Sequence, residues 1–185
     1  MRHTIALISL CLLAACTTGG LNAPDKGNPY APGVARGEAV DGLTVGHRLM
    51  AAGEFELALD AFGRAGLETG MTADVLAGLG SASLGLGRLN QAEKFLRRAI
   101  TMPDVTPETW NNLGVVLIER GETAEAAEVF RRAYALDNGN YDAIRENFRL
   151  ALAKTENPLY DESQEQEYRL IRRGSNEYLI RPISG

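Results

Sequence analysis

The stretch Trp110-Asn111-Asn112-Leu113-Gly114-Val115-Val116-Leu117, followed after Gly121 by Ala126, Phe130 and Ala133, decides how this chain is read. Stepping back by 34 residues, and by 34 again, returns the same small and aromatic positions. Gly114 aligns with Gly80 and Gly46, Gly121 with Gly87 and Gly53, and Ala126 with Ala92 and Ala58. Phe130 aligns with Leu96 and Phe62, and Ala133 with Ala99 and Ala65. Five columns agreeing at one period predict three stacked units starting at Ala39, Ala73 and Pro107. The first Gly and first Ala of each unit let its two helices approach closely, and the second Gly suits the turn between them. The aromatic or Leu column fills the space between neighbouring helices. The expected helices cover 39–52, 55–67, 73–86, 89–101, 107–120 and 123–136.

Pro107 fits a first helical turn, with Thr106 placed to cap it beside Glu108 and Thr109. The second unit has Leu76 and Ser83 where the third has Trp110 and Leu117, and carries Gly78, Gly80, Gly85 and Gly87. Each interior Gly costs about 1 kcal/mol relative to Ala, so this helix depends on its neighbours. Residues 141–156 place Ile144, Phe148, Ala151 and Leu152 on one face, as a helix closing the apolar end of a stack would, and Asn157-Pro158 stops it. In the tail, 157–185, Tyr168-Arg-Leu-Ile-Arg-Arg173 and Tyr178-Leu-Ile-Arg-Pro182 flank Gly174-Ser175-Asn176 and read as two short strands about a turn. A hairpin alone is marginal in water, so it docks or stays loose. The expectation is a loose or partner-dependent tail.

The other end of the chain reads as an address. Residues 1–15 have Arg2 and His3 ahead of an apolar run from Ile5 to Leu13, too short to span a membrane and laid out like a secretory signal. Leu13-Ala14-Ala15-Cys16 resembles the bacterial lipobox, which implies cleavage before Cys16 and lipidation of its thiol. The plainer alternative is a cleaved signal with an incidental cysteine. Acyl chains stabilise membrane association by roughly 0.8 kcal/mol per buried CH2, and more than one gives a durable anchor. Thr17 rather than Asp follows Cys16, which under the lipoprotein resemblance implies the outer membrane, with the domain facing the periplasm. Residues 16–38, rich in Gly, Pro, Asn and Thr, read as a flexible tether spanning roughly 25 Å.

The 34-residue units resemble the tetratricopeptide (TPR) repeat, whose pattern W-x2-L-G-x2-Y followed by A-x3-F is met at Trp110, Leu113, Gly114, Ala126 and Phe130, with Leu117 in the Tyr position. The resemblance implies an all-α solenoid over 39–156, three helical hairpins plus a capping helix, that binds a protein or peptide in a groove made by the first helix of each unit. Carried over by repeat position, the groove residues are Leu43, His47 and Met50, then Asp74, Ala77, Ser81 and Leu84. The third unit adds Glu108, Asn111, Asn112, Val115 and Ile118, and the cap adds Arg145 and Arg149. These mix apolar anchors with amides that can hold a peptide backbone. None is Lys, so a clamp for a terminal carboxylate of the chaperone type is not supported. The layout is also similar to the Tad (Flp) pilus assembly lipoprotein family, TadD, through Ala143-Ile-Arg-Glu-Asn-Phe-Arg-Leu-Ala-Leu-Ala153, with Phe148 where Leu is expected. That resemblance implies a pilotin-like scaffold whose client is a secretin or pilus subunit. The alternative is a general periplasm-facing adaptor recruiting cell-envelope or peptidoglycan enzymes.

Composition argues against other classes. With 24 acidic against 19 basic residues and the positive charges scattered, nucleic acid is not an expected partner. Two cysteines and two histidines supply no recognisable zinc spacing, and no cofactor is expected. Gly78-Leu-Gly80-Ser-Ala-Ser83 has neither a third Gly nor a following Lys-Ser/Thr, so it is read as helix packing rather than a phosphate loop. His47 with Ser81 or Ser83 lacks a nucleophile-elbow motif and an orienting acid. Glu119, Glu122, Glu125 and Glu128 read as a solvated helix face, and the chain is not expected to be an enzyme.

Overall fold

Three glycines set the spacing of the helices. Gly53, Gly87 and Gly121 have φ of 83°, 70° and 78°, a left-handed conformation that costs Gly nothing and any side chain something. At each, the glycine N–H bonds the carbonyl of Met50, Leu84 or Ile118, and the following N–H reaches back to Leu49, Ser83 or Leu117 at 2.9, 2.9 and 2.8 Å. The same two-bond helix ending is therefore used three times.

The computed structural model describes residues 40–138, 140–156, 168–173 and 177–182. The expected signal segment, Cys16 and the tether lie outside the described residues, as does the first part of the tail. Seven helices are present among the described residues: α1 (Gly42–Ala52), α2 (Phe55–Thr69), α3 (Ala73–Gly85), α4 (Leu89–Ala99), α5 (Pro107–Glu119), α6 (Thr123–Asp137) and α7 (Asp142–Glu156). Two strands follow, β1 (Tyr168–Arg173) and β2 (Glu177–Pro182). Consecutive helices pack as hairpins, α7 packs on α6, and α1, α3, α5 and α7 each contact the next.

Helix ends follow local chemistry where they depart from the repeat. α1 starts at Gly42, not at 39, because the Asp41 carboxylate accepts the Thr44 N–H at 3.1 Å. Thr72 caps α3 in the same way through Val75 N–H at 3.3 Å. Thr106 does not cap α5; its hydroxyl meets the Thr109 hydroxyl at 3.3 Å, and Pro107 at the helix start leaves one fewer N–H to satisfy.

The first Gly column makes room for the Phe or Leu column rather than for the Ala column. A Cβ on Gly46 would lie 2.5 Å from the Phe62 ring, and one on Gly78 would lie 2.6 Å from it, so that ring sits between α1 and α3. Gly114 stands in the same relation to Phe130 at 2.6 Å, and Gly80 to Leu96 at 2.5 Å. The Ala column, Ala58, Ala92 and Ala126, is fully buried alongside. α3 is buried continuously from Val75 to Leu84, a run rich in small residues in which a side chain at Gly78 or Gly80 would collide with Phe62 or Leu96.

The tail differs from expectation. β1 and β2 pair antiparallel, with Leu170 opposite Ile180, Ile171 opposite Leu179 and Arg172 opposite Tyr178. Far from loose, β2 packs on α5 and α7, and Tyr178, Leu179 and Ile180 are buried. Tyr178 and Ile180 belong to the same apolar cluster as Leu113, Leu117 and Phe130. A hairpin that is marginal alone becomes stable when an existing core covers it.

Phe130→Ala is expected to destabilise the domain by about 3 to 5 kcal/mol, as deletion of a fully buried ring does. Gly114→Ala, which drives a methyl into that ring, is expected to cost about 1 to 3 kcal/mol. Urea unfolding of both variants measures this, and two unchanged midpoints would contradict the packing described.

Candidate functional site

The face made by α1, α3, α5 and α7 is the one on which the sequence places a client, and β2 of the same chain is seated on it. Asn111 and Asn147 are fully buried there. Buried amides must find partners, because an unsatisfied one costs about 1 to 3 kcal/mol. Asn111 Nδ2 donates to the Tyr178 carbonyl at 2.9 Å, and Asn147 Nδ2 donates to the same oxygen at 2.8 Å, using both of its lone pairs. Asn147 Oδ1 accepts the Ile180 N–H at 3.0 Å, and Asn147 Nδ2 also donates to Asn111 Oδ1 at 2.8 Å. The Asn147 amide thus takes the C=O of one strand residue and the N–H of the residue two further on. Those are the groups an adjacent parallel strand would take.

One contact reads a side chain rather than the backbone. The Tyr178 hydroxyl donates to the Ser81 carbonyl at 3.0 Å, and burial pushes that phenol up to about 12. Ser81 Oγ in turn accepts from Asn112 Nδ2 at 3.0 Å, which ties α3 to α5 beneath the ring. At the outer end of the hairpin, Arg172 donates to the Ala51 carbonyl at 3.0 Å and lies 5.9 Å from the Phe55 ring centroid.

The remaining expected groove residues are placed as follows. Leu43 is half-buried against the cluster of Phe62 and Leu79, and Met50 is wholly inside it. His47 is half-buried, with Nε2 3.3 Å from Asp74 Oδ1 and its ring edge-on to Phe62 at 5.2 Å. Val115 and Asn112 are fully buried. Arg145 pairs with Asp142 on its own helix, and Arg149 is exposed. The groove residue that the sequence reading missed is Asn147. Counting 34 on from Asn112 reaches Glu146, the sixth position of a helix starting at 141, whereas α7 starts at Asp142 and its sixth residue is Asn147. An Asn within an otherwise apolar helical stripe was the signal available.

Beside β2 a cavity of about 510 Å3 is lined by Asp74, Asp104, Glu108, Tyr141, Arg173 and Glu177, among others. Burial first, then the Glu108 carboxylate, push Glu177 above the usual carboxylate range, with Arg173 acting in the opposite direction. The Tyr141 phenol is raised by its hydrogen bond to Glu108. Among the described residues no group of three or more His, Cys, Asp or Glu is placed to hold a metal ion, and no helix is long and apolar enough to cross a membrane. His47 has an acid beside it that the sequence did not single out as its partner, Asp74 at 3.3 Å, while the Ser81 hydroxyl accepts from Asn112 and the Ser83 hydroxyl donates to the Leu79 carbonyl.

Comparisons with known proteins agree with this geometry. A tetratricopeptide repeat family model matches residues 43–105 and again 78–143. Tetratricopeptide repeat protein 7B of mouse and of human is 44% identical over 52 residues, which is 28% of this chain and 6% of theirs. The chain therefore spans a small fraction of the length of these relatives. Among solved structures, the second TPR domain of human RPAP3, determined in complex with an HSP70 peptide, has a TM-score of 0.55 at 20% identity, covering 62% of this chain and 94% of that one. The Yersinia enterocolitica type III secretion translocator chaperone SycD has a TM-score of 0.56 at 17% identity, covering 62% and 92%. The Sgt2 TPR domain from Aspergillus fumigatus reaches 0.59 at 18% identity, covering 63% and 78%.

Asn147→Ala is expected to cost about 1 to 3 kcal/mol by stranding the Ile180 N–H, whereas Tyr178→Phe should cost about 1 kcal/mol. Thermal melts of the two variants check the order, and equal, negligible losses would mean that β2 is not held as described. Glu177 supplies a pH test. A carboxyl whose pKa is raised in the folded chain leaves stability intact below its ordinary pKa of 4.5 and erodes it as pH rises through the raised value. Glu177→Gln should therefore raise the melting temperature near neutral pH and leave it unchanged in acid.

Proposed function

The chain belongs to the tetratricopeptide repeat family, and we propose that it is a non-catalytic scaffold held at the outer membrane by lipid on Cys16, facing the periplasm. Its client is a secretin or pilus subunit of a Tad (Flp) pilus or related secretion system. One observation carries the binding half of this reading: the asparagines of the first-helix face already hold an extended backbone, that of Tyr178 and Ile180. A surface that satisfies a strand's C=O and N–H with side-chain amides is equipped for an extended segment of another protein. The assembly half rests on the lipobox at Leu13-Ala14-Ala15-Cys16 and on the similarity of the helix Ala143–Ala153 to the TadD family.

Cys16→Ala is expected to move the protein from the membrane fraction to the soluble periplasm. A pull-down of the wild-type protein from membranes should recover a secretin, and a deletion strain should fail to assemble pili. Recovery of peptidoglycan enzymes without a secretin, with normal pili, would replace this reading by that of a general envelope adaptor.

A further inference from the structure

The strand on the groove is a ligand in every respect except that it belongs to the same chain. Its contacts divide into those that any extended segment could make and those that its own sequence supplies. Asn111 and Asn147 bind only backbone, at Tyr178 O and Ile180 N. The sequence-dependent part is the Tyr178 hydroxyl on Ser81 O and the burial of Tyr178 and Ile180 among Leu113, Leu117 and Phe130.

Set against these gains are two mismatches inside the docked hairpin. Glu177, directly before Tyr178, has Oε1 buried without a hydrogen-bond partner. It lines the same cavity as Glu108 and Arg173, and the Glu108, Asp137 and Asp142 carboxylates disfavour its charge while Arg173 acts in the opposite direction. Across the hairpin, Arg169 stands directly opposite Arg181, and both are exposed. Like charges placed opposite one another weaken a strand pair. The backbone and the aromatic anchor fit the groove well, while the residue ahead of the anchor does not.

We propose that the hairpin Tyr168–Pro182 is a displaceable occupant of the groove. The client that replaces it is an extended segment of a partner protein that repeats the aromatic-x-aliphatic pattern of Tyr178 and Ile180 without a carboxylate just before the aromatic residue. This rests on the groove reading given above and adds the chemistry of the segment and the step that precedes its binding. The resident strand lowers the apparent affinity of any client by the fraction of time the groove stands open. It thereby keeps a buried, apolar, hydrogen-bonding surface covered until a better-matched strand arrives.

The test uses the full chain and a fluorescein-labelled peptide of residues 168–182 carrying Glu177→Gln, read by anisotropy. The wild-type chain should bind it weakly. Tyr178→Ala in the chain, which weakens the resident strand and spares the groove, should tighten binding by about tenfold, corresponding to about 1.4 kcal/mol. Adding Asn147→Ala to that chain should abolish binding, with circular dichroism confirming that the helices remain. The peptide with Glu177 restored should bind several-fold more weakly than the Gln form. Equal binding by all three chains, or no binding by a folded Tyr178→Ala chain, overturns the proposal, and so does indifference to the residue at 177. A stable dimer of the wild-type chain by light scattering would assign the groove to a second copy's hairpin instead. These outcomes are read on purified protein, so they are separable from recovery of a secretin and pilus assembly in cells, on which the scaffold reading stands or falls.

Discussion

Two buried asparagine amides and one edge of a β-strand each supply what the other lacks. Asn111 and Asn147 could not be buried in an apolar face without partners, and the Tyr178 C=O and Ile180 N–H on the outer edge of β2 could not be buried without a neighbouring strand. Together they close a network of amide, carbonyl and N–H groups within a well-packed cluster. Removing any one member strands the others, so the network acts as a unit. That is why a two-stranded hairpin, marginal by itself, is part of the fold.

The helices exist in the arrangement that makes this network possible. Three left-handed glycines end α1, α3 and α5 identically, and glycine on those helices admits Phe62, Leu96 and Phe130 against their backbones. Close approach between the helices brings Asn111 on α5 within 2.8 Å of Asn147 on α7 and Asn112 within 3.0 Å of Ser81 on α3. The surface ion pair of Arg97 with Glu125 links α4 to α6 on the other helices, and exposed pairs of this kind add little to stability. Packing sets the spacing, and the amides depend on it.

The fold was legible because its determinants repeat. A Gly that must be left-handed at 53 must also be so at 87 and 121, and the period exposes all of them at once. The strands of the tail were legible as well, from alternating apolar residues around Gly174-Ser175-Asn176. Their docking was not. It rests on hydrogen bonds between Asn111 and Tyr178, 67 residues apart, and between Asn147 and Ile180, 33 apart, which no local pattern encodes. The same limit explains the site. Of the residues expected in the groove, Asn111 bonds the strand of this chain, which only the structure places there, while Asn112 and Val115 are fully buried. Met50, assigned to the groove by position, is likewise fully buried, in the cluster of Phe62 and Leu79.

The central claim is that residues of β2 are bound on the groove by Asn111 and Asn147 in the resting chain. Amide hydrogen exchange of the full chain, read residue by residue at Ile180, tests it most directly. The account expects Ile180 to exchange at least about tenfold more slowly than in the free peptide of residues 168–182, since a closed state that opens only locally protects its amides. Exchange of Ile180 at the free-peptide rate, while the amides of α5 stay protected, would contradict it.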